Sequence, residues 1–501
     1  MLKLKSKFLN IGAGRAVVLL NKDDAEELSV HMSDRVILKC GKKSKTAIVD
    51  LSEKGVAKGE IGLFNEVKKE ISGCKGRVIE VHVAEKPESV QYIKKKLDGA
   101  ELKQKEMDAI ISDVVNDRLS DVELSTFVAA SYIRGYSIDE TAALTTAIFN
   151  MGEGIDFGNK VVDKHCIGGV AGNRTTLLVV PIIASVGLKM PKTSSRSITS
   201  PAGTADTMEV LAPVSHSVKK IQKMVKEVGA CIVWTGAVNL APADDKIIRV
   251  RHPLSLDPQG MLLASIMAKK KSVGSDFVVI DIPVGKGAKI ADINQGKELG
   301  HKFIELGKKI GIEVDCLITD GSQPIGIGIG PALEARDILL ALQGKGPQDL
   351  VGKACDLAGK LLEMVGKAQK GEGKAMAQEI LNSGQADRKM REIIKAQGGN
   401  SRIKPEDIKI GPEKAVVKSK ASGKIKHIDN KLIARIAKTA GAPKDKSAGM
   451  DLHVSSGEDV HIGDALFTVY AKSKEKLREA IVLANKLPAV ELGGIILEEI
   501  E

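Results

Sequence analysis

Short apolar runs separated by polar turns dominate the first 85 residues. RAVVLL, RVILKC, TAIVDL and RVIEVHVAE each have the length and the β-branched content of a strand. One polar stretch that starts at Asn21, NKDDAEELSV, has the acidic first turn of a short helix. We therefore predict a β-rich, barrel-like domain over residues 1–85.

The pattern becomes helical after Pro87, which marks a domain boundary. Two capping boxes open amphipathic segments there, formed by Ser120 with Glu123 and by Ser137 with Glu140. We predict a small helical domain over residues 86–158. Residues 241–272 have the pattern of a loop followed by a helix, and we expect them to complete that domain.

From residue 159 onward, strand-length apolar runs alternate with helical patterns. GACIVWTG, DFVVIDIPVG and VDCLITDG are almost continuously apolar, as strands buried on both faces of a parallel sheet must be. Pro331 has the position of a first helical residue ahead of an apolar stripe. We predict a large, mostly parallel α/β domain over residues 159–240 and 273–410, with ligands at the carboxyl ends of its strands.

The last part of the chain, residues 411–501, mixes β-like runs with two amphipathic helices. We predict an α+β domain, rich in β-structure, that resembles the sandwich of biotinyl and lipoyl carriers. It has no lysine in a Met-Lys-Met hairpin, so we do not expect a carrier role. The fold class predicted for the whole chain is a multidomain α/β protein.

Composition restricts the class of protein. With 43% hydrophobic and 28% charged residues, the chain has the balance of a soluble globular protein. Its longest apolar run, residues 177–188, is too short to span a bilayer, and we expect a cytoplasmic protein with no membrane partner. The net charge of +11 raises nucleic acid as a partner, but aromatics are only 3% and the lysines are mixed with glutamates. We expect no nucleic acid.

Cysteine and histidine usage bears on redox state and metals. The six cysteines are scattered singly, which predicts reduced thiols rather than a disulfide scaffold. The nine histidines show no metal-ligand spacing with cysteines or carboxylates, so we expect no metal site.

Two stretches concentrate groups that bind anions. DKHCIGGVAGNRTT, residues 163–176, places glycines and threonines behind a lysine and a histidine. Glycine lets backbone N–H groups approach a phosphate closely. KTSSRSITSPAGTADTMEVL, residues 192–211, adds many hydroxyls and Arg196. Each stretch alone is also typical of an ordinary solvated loop. In such a loop, His165 would be a polar side chain whose hydrogen bonds are made within the protein, with no role in binding.

The order and spacing of five motifs resemble the thymidine and pyrimidine-nucleoside phosphorylase family, from about residue 86 to the end. The motifs are KHCIGGVAGNRTT, SSRSITSPAGTADTME, LAPADDKIIRVRHPLSLD, SIMAKK and TDGSQPIGIGIGPALE. The second motif is the most specific. Chain length and the additional N-terminal domain resemble the archaeal branch, whose members act on nucleoside monophosphates.

The resemblance implies phosphorolysis of AMP, with CMP and UMP as further substrates, to give the free base and ribose 1,5-bisphosphate. Inorganic phosphate is then a co-substrate, no cofactor is needed, and the protein is a homo-oligomer, at least a dimer. The implied phosphate ligands are Lys164, Thr176, Ser194 and Thr204. The implied nucleotide ligands are Gly169, Ser195, Arg196, Ser197, Ile198, Thr199, Ser200, Thr204, Ser265 and Lys289.

Asp257 in SLDPQG matches the proton donor of that branch. A carboxyl group donates a proton near neutral pH only if its pKa is raised, and we expect burial beside Leu256 and Pro258 to do this. From the residues alone, Asp257 also fits a helix N-cap or a turn.

Two departures from the pyrimidine enzymes count against thymidine as substrate. Cys166 replaces a serine, and their base-binding arginine has no counterpart, since Arg249 and Arg251 are each one place away. Three alternatives stay open. They are a pyrimidine-nucleoside phosphorylase, a nucleotide-binding protein without turnover, and a phosphoribosyltransferase that would hold Mg²⁺ at Asp206 and Glu209.

Overall fold

A computed structural model describes residues 1–158, 160–197, 200–238, 240–251, 253–254 and 256–493. The chain forms two compact units. Met1–Gly152 and Ala241–Ala268 make up the first, and Glu153–Leu240 and Lys269–Glu501 make up the second. Each unit contains two of the predicted architectures, and the predicted fold class is confirmed.

The first unit begins with a closed barrel of six strands in the order β1-β5-β2-β4-β3-β6. The strands are β1 (Leu2–Phe8), β2 (Val17–Asn21), β3 (Arg35–Cys40), β4 (Lys43–Ser52), β5 (Glu60–Leu63) and β6 (Val78–Val83). Two short helices accompany them, α1 (Lys22–Leu28) and α2 (Asn65–Glu70). Asn21 caps α1 by accepting from the N–H of Asp23, so the short helix predicted there is confirmed.

Two of the six cysteines form a disulfide, which contradicts the prediction of reduced thiols. Cys40 at the end of β3 is bonded to Cys74, while Cys166, Cys231, Cys316 and Cys355 are free thiols. The prediction failed because closure of the barrel brings together two cysteines that lie 34 residues apart in sequence. Disulfides are rare inside cells except in proteins from hyperthermophiles.

The rest of the first unit is helical. Four helices follow the barrel: α3 (Ser89–Leu97), α4 (Gln104–Val115), α5 (Asp121–Arg134) and α6 (Ile138–Asn150). Both predicted capping boxes are present, at the starts of α5 and α6. Residues 241–268 belong to this unit, and they form two helices rather than the predicted loop and helix. Pro242 opens the additional helix because proline is favoured in a first helical turn.

The second unit contains a parallel sheet. Its strands are β7 (Val162–Cys166), β8 (Met190–Ser194), β9 (Ala230–Trp234), β10 (Phe277–Val284) and β11 (Glu313–Asp320), with a short β12 (Gly328–Ile329) that pairs elsewhere. The pairings are β11-β10-β7 and β8-β9, all parallel, and a parallel bridge from Val161 to Lys189 links the two groups. The carboxyl ends of these strands therefore share one edge.

Helices α7 to α16 follow in chain order, and all of them except α10 and most of α11, which belong to the first unit, complete this region. They are α7 (Thr176–Ser185), α8 (Thr204–Leu211), α9 (Val218–Val228), α10 (Pro242–Arg251), α11 (Gln259–Ser272), α12 (Ile293–Ile310), α13 (Pro331–Leu342), α14 (Gln348–Met364), α15 (Gly373–Asn382) and α16 (Gln385–Gln397). Helix α7 is buried from Thr176 to Ala184 and packs in the apolar core of the α/β region. Pro331 begins α13, as predicted.

The C-terminal region of the second unit has two antiparallel sheets and two helices. Its elements are β13 (Glu413–Lys418), β14 (Gly423–Ile428), α17 (Asn430–Ala440), β15 (Gly449–Leu452), β16 (Asp459–Val460), β17 (Ala465–Ala471), α18 (Lys474–Lys486) and β18 (Val490–Gly493). Strand β12 from the α/β region extends one of these sheets, in the order β12-β15-β17-β13. The two regions are thus joined by backbone pairing. No helix of the described residues has the length and apolarity of a membrane span.

Candidate active site

The first anion-binding motif lies where β7 ends and α7 begins. Lys164 is 1% exposed, and its Nζ donates to Thr175 Oγ1 at 2.8 Å and lies 3.8 Å from Asp281 Oδ2. Burial lowers the pKa of Lys164, although the negative charge of Asp281 opposes the shift. Asp281 also lies 3.2 Å from the ammonium of Lys353, so two lysines neutralise one buried carboxylate.

A second buried cluster lies beside it. Asp163 is fully buried between Lys270 Nζ, 2.6 Å away, and Lys192 Nζ, 3.1 Å away. Burial alone would raise the pKa of Asp163, but the two lysines outweigh it and the pKa is lowered. Burial lowers the pKa of Lys192 to about 7, with a contribution from repulsion by Lys270.

The four implied phosphate ligands occupy distinct positions along the carboxyl edge of the sheet. Thr176 is the first residue of α7 and Thr204 the first residue of α8, so both lie at helix N-termini that attract anions. Ser194 is the last residue of β8. Lys164, the fourth of these predicted ligands, forms a buried ion pair with Asp281.

His165 and Cys166 complete the end of β7, and neither is charged near neutral pH. Burial and nearby lysines, above all Lys270 and Lys192, lower the pKa of His165 well below its ordinary value. Burial and the charge of Asp281 raise the pKa of the Cys166 thiol to about 12. The thiol is therefore not a nucleophile at this pH.

The second motif is held by ion pairs. Arg196 Nη2 donates to Glu209 Oε1 at 2.7 Å, and the guanidinium stacks 4.9 Å from the ring centre of Trp234. The arginine lowers the pKa of Glu209 to about 2, and Lys446 also binds this carboxylate. Arg196 thereby positions the loop that carries Ser195, Ser197 and Ser200. Ile198 and Thr199, also predicted ligands, lie outside the described residues.

The acidic pair that left a phosphoribosyltransferase open is occupied by the protein itself. Asp206 Oδ2 accepts from the backbone N–H groups of Ser197 and Gly203 at 2.8 and 3.0 Å. Glu209 is bound by Arg196 and Lys446. The donors to these carboxylates come from the chain, which leaves this pair poorly suited to a diphosphate-bound Mg²⁺.

A cavity of about 900 Å³ opens beside this edge of the second unit. Three predicted nucleotide ligands, Gly169, Ser200 and Lys289, line it. Gly169 has a φ of +96°, and a Cβ there would come within 2.5 Å of the backbone nitrogen of Lys289. The loop after β7 contacts the loop after β10 at this point, and only glycine, which has no Cβ, fits between them.

The C-terminal region supplies the remaining wall, which the sequence analysis missed. Lys431, Arg435 and Lys438 of α17 line the cavity. Their spacing in NKLIARIAKTAG repeats at i, i+4 and i+7, which puts them on one helix face. This spacing is visible in the sequence and could have indicated a cationic helix face. Among the described residues that line the cavity, four carry positive charge and none is a carboxylate.

The remaining predicted ligands belong to the first unit. Asp257 does not have the burial expected of it: its side chain is 37% exposed, and Oδ1 lies 3.1 Å from Arg251 Nη1. The prediction that Leu256 and Pro258 bury the carboxyl group is wrong, because the residue lies in the segment before α11 rather than inside the helical core. Ser265 is buried, and its Oγ donates to Asp244 Oδ2 at 2.8 Å.

The two arginines near the pyrimidine enzymes' base-binding position have other partners. Arg249 donates to the carbonyl of Gly14 in the barrel and, at 3.1 Å, to Asp121 of α5. Arg251 pairs with Asp257. Both side chains are therefore held by groups of the first unit.

Comparisons with known proteins show the family of the chain. Three family models match: the helical bundle domain of a glycosyl transferase family over residues 90–152, its α/β domain over 158–387, and the pyrimidine nucleoside phosphorylase C-terminal domain over 424–490. An AMP phosphorylase from Thermococcus kodakarensis is 49% identical over 100% of this chain and 99% of its own. The chain belongs to the AMP phosphorylase family.

Other AMP phosphorylase relatives are similarly close. AMP phosphorylase 1 from Archaeoglobus fulgidus is 48% identical over 97% of this chain and 96% of its own. A solved anthranilate phosphoribosyltransferase from Thermus thermophilus shares the fold, with a TM-score of 0.53 at 19% identity, over 61% of this chain and 98% of its own. The resemblance to the wider phosphorylase family, stated from five motifs, is confirmed, and AMP phosphorylase relatives also match the N-terminal barrel.

Proposed function

We propose that this protein is an AMP phosphorylase. Inorganic phosphate attacks C1′ of AMP, the C1′–N9 bond breaks, and adenine and ribose 1,5-bisphosphate are released. One structural observation carries the proposal: the phosphate-type loops after β7 and β8 border a cavity whose described lining holds four cations and no carboxylate. Such a cavity has the size and charge for a nucleotide.

The chemistry needs placement and charge stabilisation rather than a redox group. The ribosyl group gains positive charge as the base departs, and an incoming phosphate dianion stabilises it. We assign inorganic phosphate to Lys164, Thr176, Ser194 and Thr204, and the nucleotide to Gly169, Ser195 to Ser200, Thr204, Ser265 and Lys289. Two of the phosphate ligands begin helices, where backbone N–H groups point toward an anion.

Asp257 is the proposed proton donor to the leaving adenine. Departure of the base leaves negative charge on its ring, and protonation at a ring nitrogen removes that charge. The carboxyl group is 37% exposed in this structure, so a bound base can reach it. Arg251, 3.1 Å away, orients the carboxyl group.

A product assay tests the reaction. The purified protein is incubated with AMP, adenosine, CMP, UMP or thymidine, each with and without inorganic phosphate, and free base is quantified by chromatography. We expect rapid phosphate-dependent adenine release from AMP and only slow release from adenosine, with CMP and UMP as further substrates. Base release from thymidine instead would identify a pyrimidine-nucleoside phosphorylase, and no release from any substrate would leave a binding protein.

Replacement of Asp257 by asparagine tests the proton donor. We expect Asp257→Asn to lower kcat for AMP by about 10²- to 10⁴-fold, the usual contribution of a general acid. KM for AMP should change little, because the asparagine keeps the shape of the side chain. Asp108→Asn on α4 is the matched control in the same unit and should retain activity. A kcat of Asp257→Asn within about twofold of the unmodified protein would remove Asp257 from the mechanism.

The proposal extends to assembly, cofactors and location. Val122, Tyr132 and Ile133 of α5 are exposed apolar side chains, which supports a homo-oligomer of at least two subunits. Light scattering of the purified protein measures its mass.

Inorganic phosphate supplies the nucleophile, so we propose no cofactor and expect turnover to persist in a chelator. A charged nucleotide does not cross a membrane unaided, which favours the cytoplasm.

A further inference from the structure

Helix α17 presents a cationic face to the cavity and an apolar face to the C-terminal core. Ile433, Ile436 and Ala437 are buried in that core. Lys431 and Arg435, four residues apart on the other face, are exposed and line the cavity. No carboxylate of the described residues forms an ion pair with either side chain. The positive charge of this face is therefore available to a ligand.

The helix is fixed against the glycine loop by its first residue. Asn430 is 2% exposed, its Oδ1 accepts from Ala171 N at 2.9 Å, and its Nδ2 donates to Gly321 O at 3.0 Å. Asp429 caps the same helix by accepting from the N–H groups of Lys431 and Leu432. Loops of the α/β region and the start of α17 are thus locked together, so the cationic face has a defined position beside Gly169.

The reaction proposed above brings two anions to the protein, inorganic phosphate and the phosphate monoester of the nucleotide. None of the residues assigned to inorganic phosphate lines the cavity. The cavity instead holds the predicted nucleotide ligands Gly169, Ser200 and Lys289, opposite the cations of α17. The anion left for this cavity is the 5′-phosphate.

We propose that Arg435, with Lys431 beside it, binds the 5′-phosphate of the nucleotide and makes the C-terminal region a determinant of nucleotide over nucleoside specificity. The proposal rests on the proposed function. The guanidinium offers a planar pair of donors to phosphate oxygens, and the ammonium of Lys431 adds charge one helical turn away. A nucleoside, which lacks this group, gains nothing from either side chain.

The test compares sugar phosphates with and without the 5′-phosphate. In the direction of nucleotide synthesis, adenine is supplied with ribose 1,5-bisphosphate or with ribose 1-phosphate. We expect Arg435→Gln to lower kcat/KM for the bisphosphate about 10- to 100-fold and to leave the value for ribose 1-phosphate within about twofold. Arg435→Lys should restore part of the loss, and Lys431→Gln should show a smaller one.

Arg478→Gln is the matched control, because Arg478 is exposed on α18 of the same region and does not line the cavity. It should behave as the unmodified protein. An equal loss for both sugars in Arg435→Gln, or a raised KM for inorganic phosphate with an unchanged KM for AMP, would overturn the assignment.

Calorimetric titration with AMP keeps the test independent of turnover. We expect Arg435→Gln to bind AMP about 10- to 100-fold more weakly than the unmodified protein, with an unchanged melting temperature. If the unmodified protein binds AMP but releases no base, the proposed reaction fails while this affinity ratio still decides the subsite. Equal affinity of the two proteins for AMP would overturn it.

Discussion

Two groups of cations lie near the end of β7, and they differ in what faces them. In the buried group, Lys192 and Lys270 share Asp163, and Lys164 and Lys353 share Asp281. On the cavity face of α17, Lys431 and Arg435 are exposed and have no carboxylate partner among the described residues. The same residue type is therefore used in two ways.

The difference shows how a basic chain divides its charge. A buried lysine without a countercharge is costly, so the buried group is built around carboxylates that stabilise the fold. Lys164 is the member of this group that we also assign to inorganic phosphate. A solvated cation costs little to leave unpaired and keeps its field for a ligand. The net charge of +11 counts buried and solvated cations alike, so it does not show which cations are free to bind a ligand.

The largest expected effect comes from removal of the buried countercharge. We expect Asp163→Asn to lower the free energy of unfolding by about 3–5 kcal/mol, because it leaves Lys192 and Lys270 buried without their carboxylate. Lys431→Gln, which removes a cavity cation, should change it by less than about 0.5 kcal/mol. Urea unfolding measures both. Equal effects of the two substitutions would mean that the two groups do not differ as described.

Titration of Lys192 gives the next effect. Its pKa is lowered from 10.5 to about 7 by burial, so between these values the unfolded chain binds a proton that the folded chain does not. Stability contributed by this group therefore rises with pH through that window and is constant below it. Replacement by methionine removes the titration.

The measurement is the free energy of unfolding of the unmodified protein minus that of Lys192→Met, followed with pH. We expect this difference to increase by about 2 kcal/mol from roughly pH 7.5 to pH 9, since one proton corresponds to about 1.4 kcal/mol per pH unit. A difference that stays flat over this range would show that Lys192 remains charged in the folded protein.

The smallest effect concerns the residue that joins the two regions. Asn430→Ala removes the hydrogen bonds to Ala171 N and Gly321 O, and we expect a loss of about 1–2 kcal/mol in urea unfolding. AMP affinity should fall as well, because α17 loses its fixed position beside the glycine loop. Asn382→Ala, which removes a solvent-exposed hydrogen bond from Gln378, is the control and should leave both unchanged. Unchanged AMP affinity in Asn430→Ala would show that this contact does not position the cavity wall.

The fold class could be predicted from local sequence patterns, such as helix caps and apolar runs. The capping boxes at Ser120 and Ser137 begin helices, and Pro331 begins α13, because these signals act within one helical turn. The almost continuously apolar runs form the parallel strands β9, β10 and β11. The glycine loop around Gly169 borders the cavity, and its role as an anion-binding loop stays a prediction.

Features that depend on distant pairs could not be read in the same way. The bond between Cys40 and Cys74 depends on closure of the barrel, and the exposure of Asp257 depends on the packing of the segment around it. In the sequence, α17 is one of two amphipathic helices predicted in the C-terminal region, and nothing local to it indicates which surface its cationic face meets. Only the fold shows that Asn430 attaches it to the glycine loop.

A crystal structure of the protein with bound AMP tests most directly the claim that Arg435 and Lys431, on the cavity face of α17, hold the substrate. We predict the 5′-phosphate in the cavity, within hydrogen-bond distance of Arg435 and beside Lys289, with the paired lysines around Asp163 making no contact to it. A 5′-phosphate bound outside the cavity, or bound by the lysines of the buried group while Arg435 stays in solvent, would contradict the account.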